Sequence, residues 1–249
     1  MDDAVKKAPV LLLAAFLLCL AACAGGESPA VSPSPAETPP AAAPTPSPEP
    51  VAVVDLISET GVYSDSVGNT LSYSYRLPLV TGGADYANAV NEEIREVFLK
   101  TAESEHEAMK DGLSLFAPEI GYETYGTEDV LSLFIYLHND WGQSEYRCYN
   151  FAPDGGEVTN GELLALAGMT EEDFVDAARG VLTEATAWRD APEELRGELD
   201  TAQQRTLAED NCSASMPMFL NGDGCLSFIA RVYSVAGADY YYHIYSICG

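Results

Sequence analysis

The sequence predicts an α+β domain, an antiparallel β-sheet meander packed against two main α-helices, and three observations carry that expectation. Leu71, Tyr73, Tyr75, Leu77 and Leu79 alternate with Ser72, Ser74, Arg76 and Pro78, the period of a half-buried strand. Two stretches, Tyr86 to Ala102 and Phe174 to Trp188, repeat apolar residues at helical spacing with charged residues between them. The end of the chain, from Met216 to Ile247, is a series of β-branched and aromatic runs separated by glycine-containing turns.

In chain order, residues 1–22 read as a lipoprotein signal peptide. Lys6 and Lys7 supply a positive start, Val10 to Leu20 an apolar run too short to span a bilayer, and Leu20-Ala21-Ala22-Cys23 the processing site. Cleavage leaves Cys23 as the lipidated first residue, which predicts anchoring to the bacterial cell membrane on its extracytoplasmic side. Residues 23–50 follow as a tether rich in Pro, Ser and Ala, with too little apolar surface to offset the entropy of folding. At about 3 Å per residue in a polyproline II conformation, its Ser28 to Pro50 part reaches up to about 70 Å. Residues 51–249 are of a length suited to one domain.

Within that domain the strand at Leu71 to Leu79 is expected to end, or to lie at an edge, at Pro78. After Gly82-Gly83, the residues Tyr86, Val90, Ile94, Val97, Phe98 and Ala102 mark an amphipathic helix closed by Gly112. Val130 to Leu137 and Glu145 to Phe151 read as paired strands, joined through His138-Asn139-Asp140-Trp141-Gly142. Thr170 with Asp173 three residues later resembles a capping box, and Phe174, Ala177, Ala178, Val181, Leu182, Ala185 and Trp188 give a buried helical face. Pro192 opens a more polar helical stretch. Met216 to Leu220, the turn Asn221 to Gly224, Cys225 to Val235, a turn at Gly237, and Tyr240 to Ile247 complete the sheet.

Four cysteines follow Cys23: Cys148, Cys212, Cys225 and Cys248. They lie in a segment expected to face an oxidising compartment, where disulfides persist. A turn that sets Val235 opposite Tyr240 places Cys248 opposite Ser227, one diagonal step from Cys225. A small shift of register brings those two together, so Cys225–Cys248 is the expected bond, leaving Cys148 with Cys212.

The formal net charge is −27, which argues against nucleic acid and anionic headgroups and suits a basic protein or peptide. Local catalytic motifs are missing: there is no HExxH, CxxC, phosphate loop or Gly-x-Ser-x-Gly elbow. His106 reads as part of a solvated helix face, His138 as a turn residue, and His243 as filling one face of a strand. Asn221-Gly222-Asp223-Gly224 reads as a hairpin turn rather than a calcium loop, since the spaced ligands and final glutamate of such a loop are missing. No metal or cofactor is expected. The candidate contact residues are aromatics beside acids: Asp140, Trp141 and Glu145 in and after the hairpin loop, and Tyr240 and Tyr242 on the last strand.

Leu71 to Leu79 with its Leu77-Pro78 end, Val130 to Leu137, Gly155-Gly156-Glu157-Val158 with Leu163-Leu164, and Asp223-Gly224-Cys225-Leu226-Ser227-Phe228 with Tyr233 and Gly237 together resemble a known extracytoplasmic domain. It is the domain shared by the lysozyme-sensing anti-sigma factor RsiV and the noncatalytic N-terminal part of PdaC-type peptidoglycan deacetylases. The resemblance spans about Leu71 to Ile247 and implies a binding or sensing module on a lipid anchor. Where that family often has a Gly-Gly-Ala-His loop, this chain has His138 to Gly142. The expectation is a noncatalytic envelope lipoprotein that binds a basic protein such as lysozyme. The alternatives are a carboxylate-based hydrolase of an envelope polymer, which needs two facing acids in a cleft, and a purely structural envelope protein.

Overall fold

The computed structural model describes residues 49–249 except 65–67, 69, 84, 112–118, 139–143, 190, 236–238 and 249. Cys23, the tether up to residue 48, Gly112, the Asn139 to Gly142 loop and Gly237 lie outside the described residues. Pro46–Gly249 forms one compact unit. Among the described residues no helix is long and apolar enough to cross a membrane.

The domain opens with a long hairpin of β1 (Ala52–Ser64) and β2 (Thr70–Thr81). β1 escapes a reading of hydrophobic period because most of its residues are exposed or half-exposed along the sheet edge. Pro78 does not end β2. It sits opposite Asp55 at a bulge, where the register shifts between Asp55 and Ile57 and a ladder hydrogen bond is already interrupted.

Gly82 and Gly83, with φ of 69° and 81°, turn the chain from β2 into α1 (Asp85–Ile94). That helix runs on through a π turn (Arg95–Leu99) into α2 (Lys100–Lys110). Its expected apolar face is the observed one: Val90, Ile94, Phe98 and Ala102 are buried. Asn91 pins it to the sheet, its side-chain amide exchanging two 2.8 Å hydrogen bonds with the backbone of Val80.

The helix is a crossover, and it delivers a strand that the sequence reading missed. β3 (Glu119–Gly126) pairs in parallel with β2 through Ser74 and Tyr75, then antiparallel with β4 (Leu131–His138), which pairs with β5 (Ser144–Phe151). The meander is therefore antiparallel in every pairing except β2–β3, and the strand order is β1-β2-β3-β4-β5. A parallel neighbour needs a long connection, which α1 and α2 provide.

α3 (Asn160–Leu166) and α4 (Glu171–Ala185) each begin with a reciprocal capping box, Thr159 with Glu162 and the expected Thr170 with Asp173. α4 buries Phe174, Ala178 and Leu182. Trp188 does not continue that face: the helix stops at Ala185, and Trp188 lies beyond it at φ 42°, 37 % exposed. A 3-10 turn after Pro192 leads into α5 (Arg196–Thr206).

The C-terminal strands β6 (Met218–Leu220), β7 (Leu226–Tyr233) and β8 (Tyr240–Ile247) form a second, antiparallel sheet rather than extending the first. Four layers result. Leu133, Ile135 and Leu137 of β4 pack with Val90, Ile94 and Phe98 of the crossover helix. Phe228 and Ala230 of β7 pack with Phe174, Ala178 and Leu182 of α4. Between the sheets, Phe134, Phe219 and Ile229 form a small third core.

In β7–β8 Tyr233 stands opposite Tyr240, two residues from the expected pairing, which brings Cys225 directly opposite Cys248. The two form the expected disulfide, with Cα atoms 4.7 Å apart. The expected Cys148–Cys212 bond is not formed, and both thiols are free. Cys148 packs in the core between the sheets, whereas Cys212 packs under α4 against the other face of the second sheet, so that sheet separates them.

Candidate functional site

Strand alternation decides what enters the space between the sheets. From β3 it receives Glu119, Glu123 and Tyr125, from β4 Ser132, Phe134, Tyr136 and His138, and from β5 Ser144, Tyr146 and Cys148. The second sheet answers with Phe219, Ser227, Ile229 and Tyr242. At the closed centre the polar groups satisfy one another. Ser132 Oγ donates to Asn150 Oδ1 at 2.7 Å and accepts from the Leu220 amide at 3.1 Å, while Asn150 Nδ2 donates to the Met218 carbonyl at 3.0 Å.

On either side of this centre the sheets part into two clefts that share Tyr146. The first, about 460 Å³, is walled by rings and floored by carboxylates. Tyr125 stacks on Phe219 at 5.6 Å, Phe219 on Phe134 at 5.1 Å, and Phe134 on Tyr146 at 5.5 Å. Glu123 accepts a hydrogen bond from the Tyr125 hydroxyl, and Glu119 Oε1 accepts one from the Tyr136 hydroxyl at 3.5 Å. Burial, followed by the Glu123 hydrogen bond, pushes Tyr125 up to about 12, and burial with the charges of Glu119 and Glu123 raises Tyr136. Both phenols therefore stay protonated and donate. Neither Lys nor Arg is among the described residues lining this cleft. Its surface is aromatic and anionic, which favours a cation held against π faces.

Gly121, opposite Tyr136 in the β3–β4 ladder, allows that geometry, because a Cβ there would overlap the Tyr136 phenol. His138 closes one end, its ring 4.8 Å from Tyr136 and its Nδ1 2.7 Å from Ser144 Oγ. Glu119 and Glu123 lie on one strand, about 13 Å apart along it. They share one wall of the cleft, the one built by β3.

The second cleft, about 400 Å³, gathers three of the sequence-derived candidates: Glu145, Tyr240 and Tyr242. Tyr242 lies edge-on to Tyr146 at 6.0 Å and to Tyr240 at 5.4 Å, and burial, then the hydrogen bond with Tyr240, raises its pKa. Two of the charged groups lining it are paired, Arg147 with Glu93 at 3.3 Å and Asp239 with Arg205 at 2.7 Å. The other two candidates, Asp140 and Trp141, lie outside the described residues, though His138 and Ser144, which bracket that loop, line the two clefts.

His106 lies edge-on to the Tyr73 ring at 5.4 Å on the far face of the first sheet, and His243 is exposed on β8 rather than buried against a neighbour. Asn221 organises its turn by itself, its Oδ1 accepting from the Asp223 and Cys225 amides at 3.0 Å each, as expected of a hairpin turn. Among the described residues no group of three or more His, Cys, Asp or Glu side chains is arranged to hold a metal ion. The residues missed from sequence are Glu119, Glu123 and Tyr125. Their signal was present as the alternation of Glu119 and Glu123 with buried Ile120 and Tyr122, interrupted by Gly121.

Compared with known proteins, the chain matches no protein-family model and no curated protein.

Proposed function

We propose that this chain is a noncatalytic binding or sensing module, tethered to the outer face of the cell membrane through a lipid on Cys23, that receives cationic groups of a basic protein in the cleft between its sheets. The observation that carries the reading is the first cleft: stacked aromatic rings beside Glu119 and Glu123, with neither Lys nor Arg among its described lining residues. A guanidinium or ammonium entering it meets π faces and unneutralised carboxylates together. The net charge of −27 supports the same partner class by steering a basic protein toward the domain. The resemblance to the RsiV and PdaC extracytoplasmic domain makes lysozyme the first partner to try. The lipoprotein signal and the Pro-rich tether support the location.

The test is calorimetric titration of the intact protein in mild detergent with lysozyme, at low and physiological salt, beside a control protein of similar positive charge. Saturable binding that persists at physiological salt, excludes the control and weakens at least about tenfold in Glu119→Gln/Glu123→Gln supports the reading. Binding that is equal for both proteins, lost with salt or indifferent to the double substitution overturns it.

A further inference from the structure

Each sheet has two edges, and three of the four carry features that keep a strand from pairing further. β1 has a bulge after Asp55 and bears Asp55 and Glu59, β5 bears Glu145 and Arg147, and β6 is three residues long. β8 has none of these. Its eight residues include no Asp, Glu, Lys, Arg, Pro or Gly, in a chain with 39 acids, and its register with β7 runs without a shift. None of the eight is buried, and Ile244 is 42 % exposed.

The phase of the β7–β8 ladder shows which backbone groups that edge offers. The Ser234 amide donates to the Asp239 carbonyl at 3.1 Å, so these two are a hydrogen-bonded pair, and in the same register Tyr241, His243, Tyr245 and Ile247 are the residues bonded to β7. Cys225 and Cys248 agree with that phase, since their Cα atoms, 4.7 Å apart, have the spacing of a non-hydrogen-bonded pair. The N–H and C=O groups of Tyr240, Tyr242, Ile244 and Ser246 therefore point away from β7. Among the described residues no strand or loop backbone bonds to them. The side chains of the same four residues line the two clefts between the sheets.

A strand added at this edge is held by those groups, and its side chains beside Tyr242 and Ile244 share their face and turn toward the first sheet. Glu119 and Glu123 of the first cleft and Glu145 of the second lie on that side. Arg147, the one Lys or Arg among the described lining residues of either cleft, is already paired with Glu93. Side chains on the other face continue the row of Tyr245 and Ile247, which pack against the core under α4. Basic residues alternating with β-branched ones suit both rows. A second copy of the chain does not, because β8 has no Lys or Arg and each copy carries a net charge of −27.

We infer that β8 is a docking edge that takes up an extended segment of a basic partner as a fourth strand of the second sheet, with Lys or Arg at alternate positions toward the clefts. The inference rests on the partner reading above for the charge of that segment, and adds the backbone pairing that seats it. The probe is the peptide acetyl-Lys-Val-Lys-Val-Lys-Val-Lys-Val-amide, titrated calorimetrically into the intact protein in mild nonionic detergent at physiological salt. Two control peptides of the same sequence and charge are N-methylated, one on its lysine amides and the other on its valine amides. Only one edge of an added strand faces β8, so one control should bind at least about tenfold more weakly and the other about as well as the parent. Ile244→Pro removes an outward N–H and no bond to β7, and should also weaken binding at least about tenfold. The methylated pair decides the question on the wild type alone. No saturation up to about 1 mM peptide, equal affinity of the two controls, or a dimer of the protein alone that Ile244→Pro dissociates overturns the inference. Peptide binding that is sensitive to Ile244→Pro but indifferent to Glu119→Gln/Glu123→Gln supports the edge and overturns the cleft reading, whereas the reverse pattern overturns the edge and supports the cleft.

Discussion

The Cys225–Cys248 bond sets a stability increment that can be worked from loop length. The two residues are 23 apart in sequence, and closing a loop of that length in the unfolded chain stabilises the fold by about 3 kcal/mol. The double substitution Cys225→Ser/Cys248→Ser removes the crosslink while the β7–β8 ladder still holds those positions opposite each other. For a domain of about 200 residues, unfolding entropy near 2 cal/mol/K per residue converts the loss into a melting point lower by about 8 °C. The assay is thermal unfolding followed by circular dichroism, on wild type and variant without reductant. Peptide mapping after alkylation of the unfolded, non-reduced protein accompanies it. The map should show Cys148 and Cys212 alkylated and Cys225 joined to Cys248. In the native protein both free thiols should resist alkylation, because burial pushes each of them up and away from the reactive thiolate. A drop smaller than about 2 °C, or a peptide linking Cys148 to Cys212, would refute the reasoning.

Three further outcomes are expected. Gly121→Ala forces the Tyr136 ring out of its position over β3, so binding of a basic protein should weaken at least about tenfold with the circular dichroism spectrum unchanged; unchanged affinity removes Tyr136 from the site. Tyr75→Phe deletes a buried hydroxyl that has no hydrogen-bond partner among the described residues and should stabilise the protein by about 1 kcal/mol, raising the urea midpoint by about 0.5 M at constant slope. A lower midpoint would show that the hydroxyl has a partner. Asp55 accepts hydrogen bonds from Tyr122 at 2.7 Å and Arg76 at 2.9 Å, which hold its carboxyl below the usual value of 3.8. Because the folded-state value is the depressed one, this contribution is complete above that value and is lost as pH falls through the lower, folded value. The stability difference between wild type and Tyr122→Phe should therefore be constant near neutral pH and shrink toward pH 2, read as the gap between urea midpoints; a gap that widens in acid contradicts the assignment.

What the sequence revealed depended on how each element is buried. α4 and the crossover helix bury one stripe each, so Phe174, Ala178 and Leu182, and Val90, Ile94 and Phe98, stood out at helical spacing. β4 also stood out, although it is buried on both faces, because Leu131 to His138 is a continuous apolar run with few polar breaks. β1 and β3 did not. β1 is an edge strand with little buried surface to impose a pattern, and β3 places Gly121 where a larger residue would signal a strand, since Tyr136 from the neighbouring strand fills that space. The division into two sheets was also invisible, because what separates them is long-range: Ser132 and Asn150 meet β6 through hydrogen bonds between residues 88 and 68 positions apart.

The site followed the same rule. Tyr240 and Tyr242 could be named from local pattern, and Glu145 from its place beside the hairpin loop, since each belongs to a strand the sequence reveals. Glu119 and Glu123 could not, since they matter only once β3 lies next to β4 and the second sheet covers that face. The disulfide joins the two levels. It clamps the end of β8 to the turn after β6, and Asn221, Ser227 and Ser246 from this end of the sheet line the first cleft, with Ser227 and Ser246 hydroxyls 2.8 Å apart. Apart from Phe219, ring positions in the cleft are set from the other sheet, while the cleft's width on this side is set by a hairpin end that the crosslink holds in register. Loss of the bond should therefore weaken binding of a basic protein as well as lower the melting point. The double cysteine variant, titrated well below its own melting temperature, tests that coupling: affinity equal to wild type would mean that the second sheet keeps its register, and the cleft its width, through backbone pairing and the aromatic core of Phe134, Phe219 and Ile229 alone.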